Sequence, residues 1–180
     1  MNNTVLFDMD NTLVFSDRAN FLAYHSAVAE VLGAKCARTL KADKRFDKAA
    51  LREQLGFLTK SDASQIVRLK ERFVEHFVDE IVLNEKVVSK LYNQVEKGGR
   101  AVLVSNANRS RALNLLNHHG LLEYFSALFF GGEKGGFANK YQYALSQLCI
   151  DAEQLCVFDD DRAELSNAIN LGIHNFVWVR

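Results

Sequence analysis

Proline is absent from this chain of 180 residues. No X-Pro bond is available to slow folding, and turns fall to Gly, Asn and Asp. Cysteine is scarce: Cys36, Cys149 and Cys156 are far apart and in no metal-ligand spacing, which speaks against a disulfide framework or a zinc site. Cys149 and Cys156 stand among apolar residues and are expected to be reduced core thiols of a cytoplasmic protein. Net charge is missing as well. The 22 basic and 22 acidic residues cancel, so no whole-molecule field draws in a polyanion. No apolar run reaches the roughly 20 residues of a membrane-spanning helix, and no membrane partner is expected. The early run Val5-Leu6-Phe7 has no basic leader and is broken by Asp8 and Asp10, so it does not read as a signal peptide.

What is present is a globular composition, 48% hydrophobic and 24% charged, enough for one well-cored domain carrying an insertion. Two textures alternate. Val5-Leu6-Phe7 reads as a buried strand that ends at Asp8. Residues 16–97 then read as helices: Phe21, Tyr24, Val28, Val31 and Leu32 recur at helical spacing before Gly33, and Leu51 and Leu55 precede Gly56. A helix starting at Ser61-Asp62 carries Ile66, Leu69, Phe73, Phe77 and Ile81. Another carries Val87, Val88, Leu91 and Val95 up to Gly98-Gly99. Thereafter short apolar runs at 101–104, 127–130, 155–158 and 176–179 alternate with helical segments. Continuous apolar strands separated by helices predict a parallel sheet covered on both faces. The expected fold is α/β, a Rossmann-like parallel-sheet core of residues 1–15 and 98–180, with an all-helical cap of residues 16–97 inserted after the first strand.

Polar residues gather where these strands end. The first offers Asp8, Asp10 and Thr12, the second Ser105 and Asn106, and the fourth Asp159 and Asp160, with Glu164 one helical turn on. Lys134 and Lys140 lie in the loop before that strand. Carboxylates are costly to bury alone, and the carboxyl ends of strands are where open α/β sheets place ligands. Acidic groups converging there would form an oxygen-rich site suited to Mg²⁺. With a lysine, such a site neutralises a phosphoryl group held by hydroxyls and backbone N–H groups. One carboxylate can then act as nucleophile and a second as acid and base.

Phe7-Asp8-Met9-Asp10-Asn11-Thr12-Leu13 resembles the first motif, Asp-x-Asp-x-Thr, of the haloacid dehalogenase-like hydrolases. Val102 to Asn106 resembles their second motif, and Val157-Phe158-Asp159-Asp160, with the later Leu-Gly-Ile, their fourth. The resemblance implies that Asp8 is the nucleophile and a magnesium ligand. It makes Asp10 the general acid/base, with its backbone carbonyl on the metal, and implies that Ser105 and the Asn106 backbone hold phosphate. Thr12 is counted with the phosphate-binding group. Asp160 is implied as a direct metal ligand and Asp159 as one acting through water. For the third motif's lysine, Lys140 is preferred over Lys134: Asn139 can cap the following helix, whereas Lys134 sits between glycine pairs. The proline that often follows this lysine in the family is replaced by Tyr141.

Within the family that the chain resembles, an aspartate two residues after the nucleophile implies phosphoryl transfer over carbon–halogen cleavage, which needs no acid to protonate a leaving alkoxide. The expected function is thus a Mg²⁺-dependent phosphatase that hydrolyses a small phosphorylated metabolite through an aspartyl-phosphate. The alternatives are a phosphomutase and a non-catalytic phosphate- or partner-binding module. Nucleic acid is the weaker partner, resting on a basic stretch (Lys35, Arg38, Lys41, Lys44, Arg45 and Lys48 against Asp43 and Asp47) for which a solvated helix face is the preferred reading. His118-His119 is read as a surface or packed pair, because adjacent helix residues do not face one way.

Overall fold

The computed structural model describes residues 4–42 and 45–179. In chain order the strands are β1 (Thr4–Phe7), β2 (Val14–Phe15), β3 (Val82–Leu83), β4 (Arg100–Ser105), β5 (Ala127–Phe130), β6 (Leu155–Asp159) and β7 (Asn175–Trp178). The helices are α1 (Asp17–Leu32), α2 (Ala34–Ala37), α3 (Lys48–Gln54), α4 (Lys60–Phe73), α5 (Glu85–Glu96), α6 (Arg109–His118), α7 (Lys140–Leu148) and α8 (Arg162–Asn170). Two compact units result, residues 1–15 with 83–180, and residues 16–82. Among the described residues, no helix is long and apolar enough to cross a membrane.

The first unit is an α/β core. Its main sheet has five strands, all parallel, in the order β5-β4-β1-β6-β7. β1 is buried along its whole length, as a central strand with helices on both faces must be. Phe7 pairs with Leu103 of β4 on one side and Phe158 of β6 on the other, and its ring stacks on that of Phe158, with centroids 5.1 Å apart. Leu6, Val102 and Val157 pack with Tyr141, Ala144 and Leu165 from α7 and α8. Each such large apolar side chain contributes about 1.5–3 kcal/mol when buried.

The second unit is helical. Tyr24 and Val28 of α1 pack with Leu51 and Ile66 around the buried Phe46. α4 starts one residue before the Ser61-Asp62 expected from sequence, because Thr59 and Asp62 form a reciprocal capping box. The apolar series through Phe73, Phe77 and Ile81 is not one helix. It passes into a 3₁₀ segment, Val74–Glu80, with a break at Phe77. The basic residues Lys35, Arg38, Lys41, Arg45 and Lys48 are all exposed, as a solvated surface requires. They do not share one helix face: Lys35 lies on α2 and Lys48 opens α3, while Arg38, Lys41 and Arg45 lie between these helices. Asp43 and Lys44 of that stretch fall outside the described residues.

Two further differences from the sequence reading have physical causes. The division between units falls after Val82, not at residue 97: α5 belongs with the core unit, burying Val87, Val88 and Leu91 on the side that meets β4. Cys149 is exposed, because it caps the C-terminus of α7 in a left-handed conformation (φ 52°).

Candidate active site

The site begins where β1 ends. The N–H of Asp8 donates to the Phe158 carbonyl at 2.9 Å, which continues the sheet by one residue and fixes the Asp8 side chain at its edge. The chain then winds tightly. The N–H groups of Thr12, Leu13 and Val14 all donate to the Met9 carbonyl, and Asn11 takes the left-handed conformation (φ 58°) that asparagine tolerates. This turn buries Thr12 with its hydroxyl oxygen lacking any hydrogen-bond partner.

Asp8, Lys140 and Asp159 are 6%, 2% and 0% exposed and form one ionic cluster. Lys140 Nζ lies 2.7 Å from Asp8 Oδ1 and 2.8 Å from Asp159 Oδ2. Lys140 reaches this position as the first residue of α7, whose N-terminus Asn139 caps by accepting from the Gln142 N–H at 2.8 Å. Lys134 stays apart, donating to the carbonyl of Ala138 in its own loop. Tyr141 adds a group that the sequence reading did not single out as functional. Its buried hydroxyl donates to Asp159 Oδ2 at 2.5 Å. The Asp161 N–H donates to Asp159 Oδ1 at 2.8 Å, so both oxygens of Asp159 are engaged.

Carboxylate oxygens of Asp8, Asp159 and Asp160 lie within 4.8 Å of one another, and this is the one such metal-competent group among the described residues. Three hard oxygen donors, one of them only half-buried, suit a hard divalent cation. The electrostatics agree. Burial pushes the Asp8 carboxyl up to about 7; Lys140 opposes the rise while Asp159 and Asp10 add to it. Burial alone would lower the pKa of Lys140, but Asp8 and Asp159 outweigh it and raise it, so the ammonium keeps its charge. Burial, then Asp159 and Asp8, hold the Tyr141 phenol well above its ordinary value, so it remains a donor. The cluster is short of positive charge.

Asp10 turns to a different partner. Arg111 of α6 grips it with both terminal nitrogens: Nη1 donates to Oδ1 at 3.0 Å and Nη2 to Oδ2. At the end of β4, the buried Ser105 hydroxyl accepts from the Ala107 N–H at 3.2 Å. Asn106 does not cap α6, a role taken by Asn108; its amide donates instead to Glu164 Oε1 at 2.7 Å. Gly131 makes room for that amide, since a Cβ there would lie 2.2 Å from Asn106 Oδ1. Asp161 caps α8. His118 and His119 stand edge to face near the end of α6, away from any carboxylate cluster among the described residues.

Buried acids at the ends of adjacent parallel strands, with a lysine from the helix that precedes β6, mark a candidate reaction centre in an α/β fold. The chain belongs to the haloacid dehalogenase-like hydrolases, whose family model matches residues 3–172. Among solved structures it is similar to a haloacid dehalogenase-like hydrolase from Bacteroides fragilis (17% identity, 99% of this chain and 87% of that one, TM-score 0.80). It is also similar to CbbY from Rhodobacter sphaeroides, solved in complex with phosphate (19%, 99% and 87%, 0.73). A third is described as a predicted phosphoglycolate phosphatase from Haemophilus somnus (16%, 94% and 82%, 0.73). At these identities the likeness is one of fold. No curated protein matches the sequence.

Proposed function

We propose that this hydrolase is a Mg²⁺-dependent phosphatase of a small phosphorylated metabolite, working through a phosphorylated Asp8. The observation that carries the reading is the buried pairing of Asp8 with Lys140 beside the carboxylates of Asp159 and Asp160. Asp8 and Asp160 would hold the ion, with the Asp10 carbonyl; Asp159, whose oxygens are engaged by Lys140, Tyr141 and the Asp161 N–H, would act through water. When bound, Mg²⁺ supplies charge neutralisation at the phosphoryl oxygens.

The residues then divide the work. Lys140 keeps Asp8 aimed out of the sheet edge and offsets the charge of the incoming phosphoryl group. The Ser105 hydroxyl, the Asn106 N–H and the Thr12 hydroxyl are the donors that hold that group. An Asp8 carboxylate oxygen attacks phosphorus while the bond to the ester oxygen breaks, and Asp10 gives that oxygen a proton. Asp10, now a carboxylate, takes a proton from water; the water oxygen attacks phosphorus, and the bond from phosphorus to Asp8 breaks. Inorganic phosphate leaves with Asp8 free and Asp10 protonated again. The helical unit of residues 16–82 is proposed as the cap that selects substrate and excludes water.

The test is phosphate release across phosphorylated sugars, nucleotides and short organic acids, with and without Mg²⁺. Wild-type protein is expected to release phosphate only with the metal, and Asp8→Asn to lose at least about a thousandfold in kcat. Substantial turnover in Asp8→Asn overturns the reading.

A further inference from the structure

One peptide group ties the acidic loop after β6 to the neighbouring strand. Asp160 and Asp161 follow the last residue of β6, and Trp178 ends β7, where the register sets it opposite Asp159. Asn175, Phe176 and Val177 of β7 are exposed, but Trp178 is half-buried and packs against the core. Its indole Nε1–H donates to the Asp160 carbonyl at 2.9 Å. The N–H of that same peptide group, belonging to Asp161, donates to Asp159 Oδ1 at 2.8 Å. A peptide group is planar and rigid, so holding its oxygen and its hydrogen fixes the whole plane, the Asp160 Cα included. The indole is held in turn. Arg162, the first residue of α8, lies over its ring with Cζ 3.7 Å from the centroid. The Val179 N–H donates to the Asp159 carbonyl at 3.0 Å, which carries the strand pairing past Trp178.

We infer that Trp178 is a positioning residue for the cation: its indole N–H, acting through the peptide group between Asp160 and Asp161, holds the carboxylates of Asp159 and Asp160 in the arrangement that a divalent ion requires. Trp178 is not itself a ligand, because an indole N–H only donates. Its effect is on the ligands. Mg²⁺ demands near-ideal octahedral geometry, so a loop ordered beforehand binds it better than one that must be ordered on binding. The chain of contacts runs from β7 through one amide into the buried ionic cluster, where Lys140 and Tyr141 meet Asp159 from the other side. The inference takes from the proposed function only that Asp160 is a ligand of Mg²⁺, and its test uses no substrate, so a protein that binds the ion yet releases no phosphate leaves it standing.

Two replacements remove the donor and keep an aromatic ring. One is Trp178→Phe; the other puts 3-benzothienylalanine at position 178, with sulfur where the indole carries N–H and the shape otherwise kept. Calorimetry with Mg²⁺ alone reads the effect. Both variants are expected to bind Mg²⁺ about tenfold more weakly than wild type, whereas Thr59→Ala, which loses a helix cap in the other unit, should bind it as wild type does. A Kd unchanged in the benzothienyl protein overturns the inference, whatever Trp178→Phe does. Equal weakening in Thr59→Ala overturns it too, since that marks a general loss of stability. A second readout needs no metal. Solvent exchange of the Asp161 amide, followed by saturation transfer in metal-free protein, is expected to be about tenfold faster in both Trp178 variants, because its peptide group has lost an anchor. If wild-type protein binds no Mg²⁺, it is the metal reading that fails. Faster exchange in the benzothienyl protein then still upholds Trp178 as the residue that orders the acidic loop, and unchanged exchange rejects it.

Discussion

Asp8 carries the conflict on which the site is built. Removed from water beside Asp159 and Asp10, its carboxyl is pushed up to about 7, and one lysine answers for two buried acids. The folded core binds the Asp8 proton more tightly than the unfolded chain does, so this group favours the fold most at low pH, and that contribution is lost as pH rises from the ordinary carboxylate range, 3.8, to about 7. A metal ligand must lose its proton, so Mg²⁺ binding should run the opposite way. Its apparent Kd, measured by calorimetry, is expected to fall by about tenfold between pH 6 and pH 8; a Kd flat across that interval contradicts the assignment of Asp8 as ligand. Tyr141 is the other residue whose role can be measured alone. Tyr141→Phe removes the donor to Asp159 Oδ2, and urea unfolding should report a loss of about 1.5–3 kcal/mol, the value of a buried hydrogen bond to a charged group. An unchanged midpoint would mean that Lys140 alone suffices for Asp159 Oδ2.

Neither Tyr141 nor Arg111 was legible as a site residue in the sequence. An aromatic on an apolar helix face reads as core, and the ring of Tyr141 does pack there; only its hydroxyl is turned to Asp159. An arginine on a polar helix reads as solvated, and the partner that makes Arg111 notable lies 101 residues away in the chain. Asp8, Asp10 and Lys140 stood out because acids at a strand end, and a lysine after a good N-cap, break the local pattern.

At the level of elements, placement of the site is a matter of caps. Asn139 starts α7 and thereby puts Lys140 at its first position. Thr59 starts α4 in the other unit through its capping box with Asp62. Asn139→Ala and Thr59→Ala should each cost about 1 kcal/mol of stability in urea titrations. They part in function: loss of the Asn139 cap should also lower phosphate release, because it loosens the first turn that carries Lys140, whereas Thr59→Ala should leave release unaltered. Equal effects on release would show that the cap of α7 does not position the lysine. The five strands of the parallel sheet were readable because each centres on a short apolar run, and most are closed by Asp, Ser or Gly; the two-residue strands β2 and β3 were not, and β3 falls in the stretch read as helical. The extent of the helices was less so. Apolar spacing alone does not distinguish α4 from the 3₁₀ segment after it, nor does it say that α5 covers β4 instead of joining the helical unit.

For the molecule as a whole, strand order decides what meets. With β1 between β4 and β6, the residues that end these three strands, Asp8, Ser105 and Asp159, are brought to one edge although they are separated by most of the chain. A parallel sheet of alternating strands and helices was expected, and this order gives the motifs their common location; the side-chain pairings within it had to be read from the structure. In the proposed reaction Asp8 itself takes the phosphoryl group. The direct measurement is rapid acid quench of wild-type protein turning over a hydrolysed ester with Mg²⁺, followed by mass analysis of the peptide that contains Asp8. A gain of about 80 Da on that peptide is expected, removable by hydroxylamine and absent in Asp8→Asn. Full phosphate release with Asp8 never modified, in protein quenched at its steady state and across the first turnover, would contradict it.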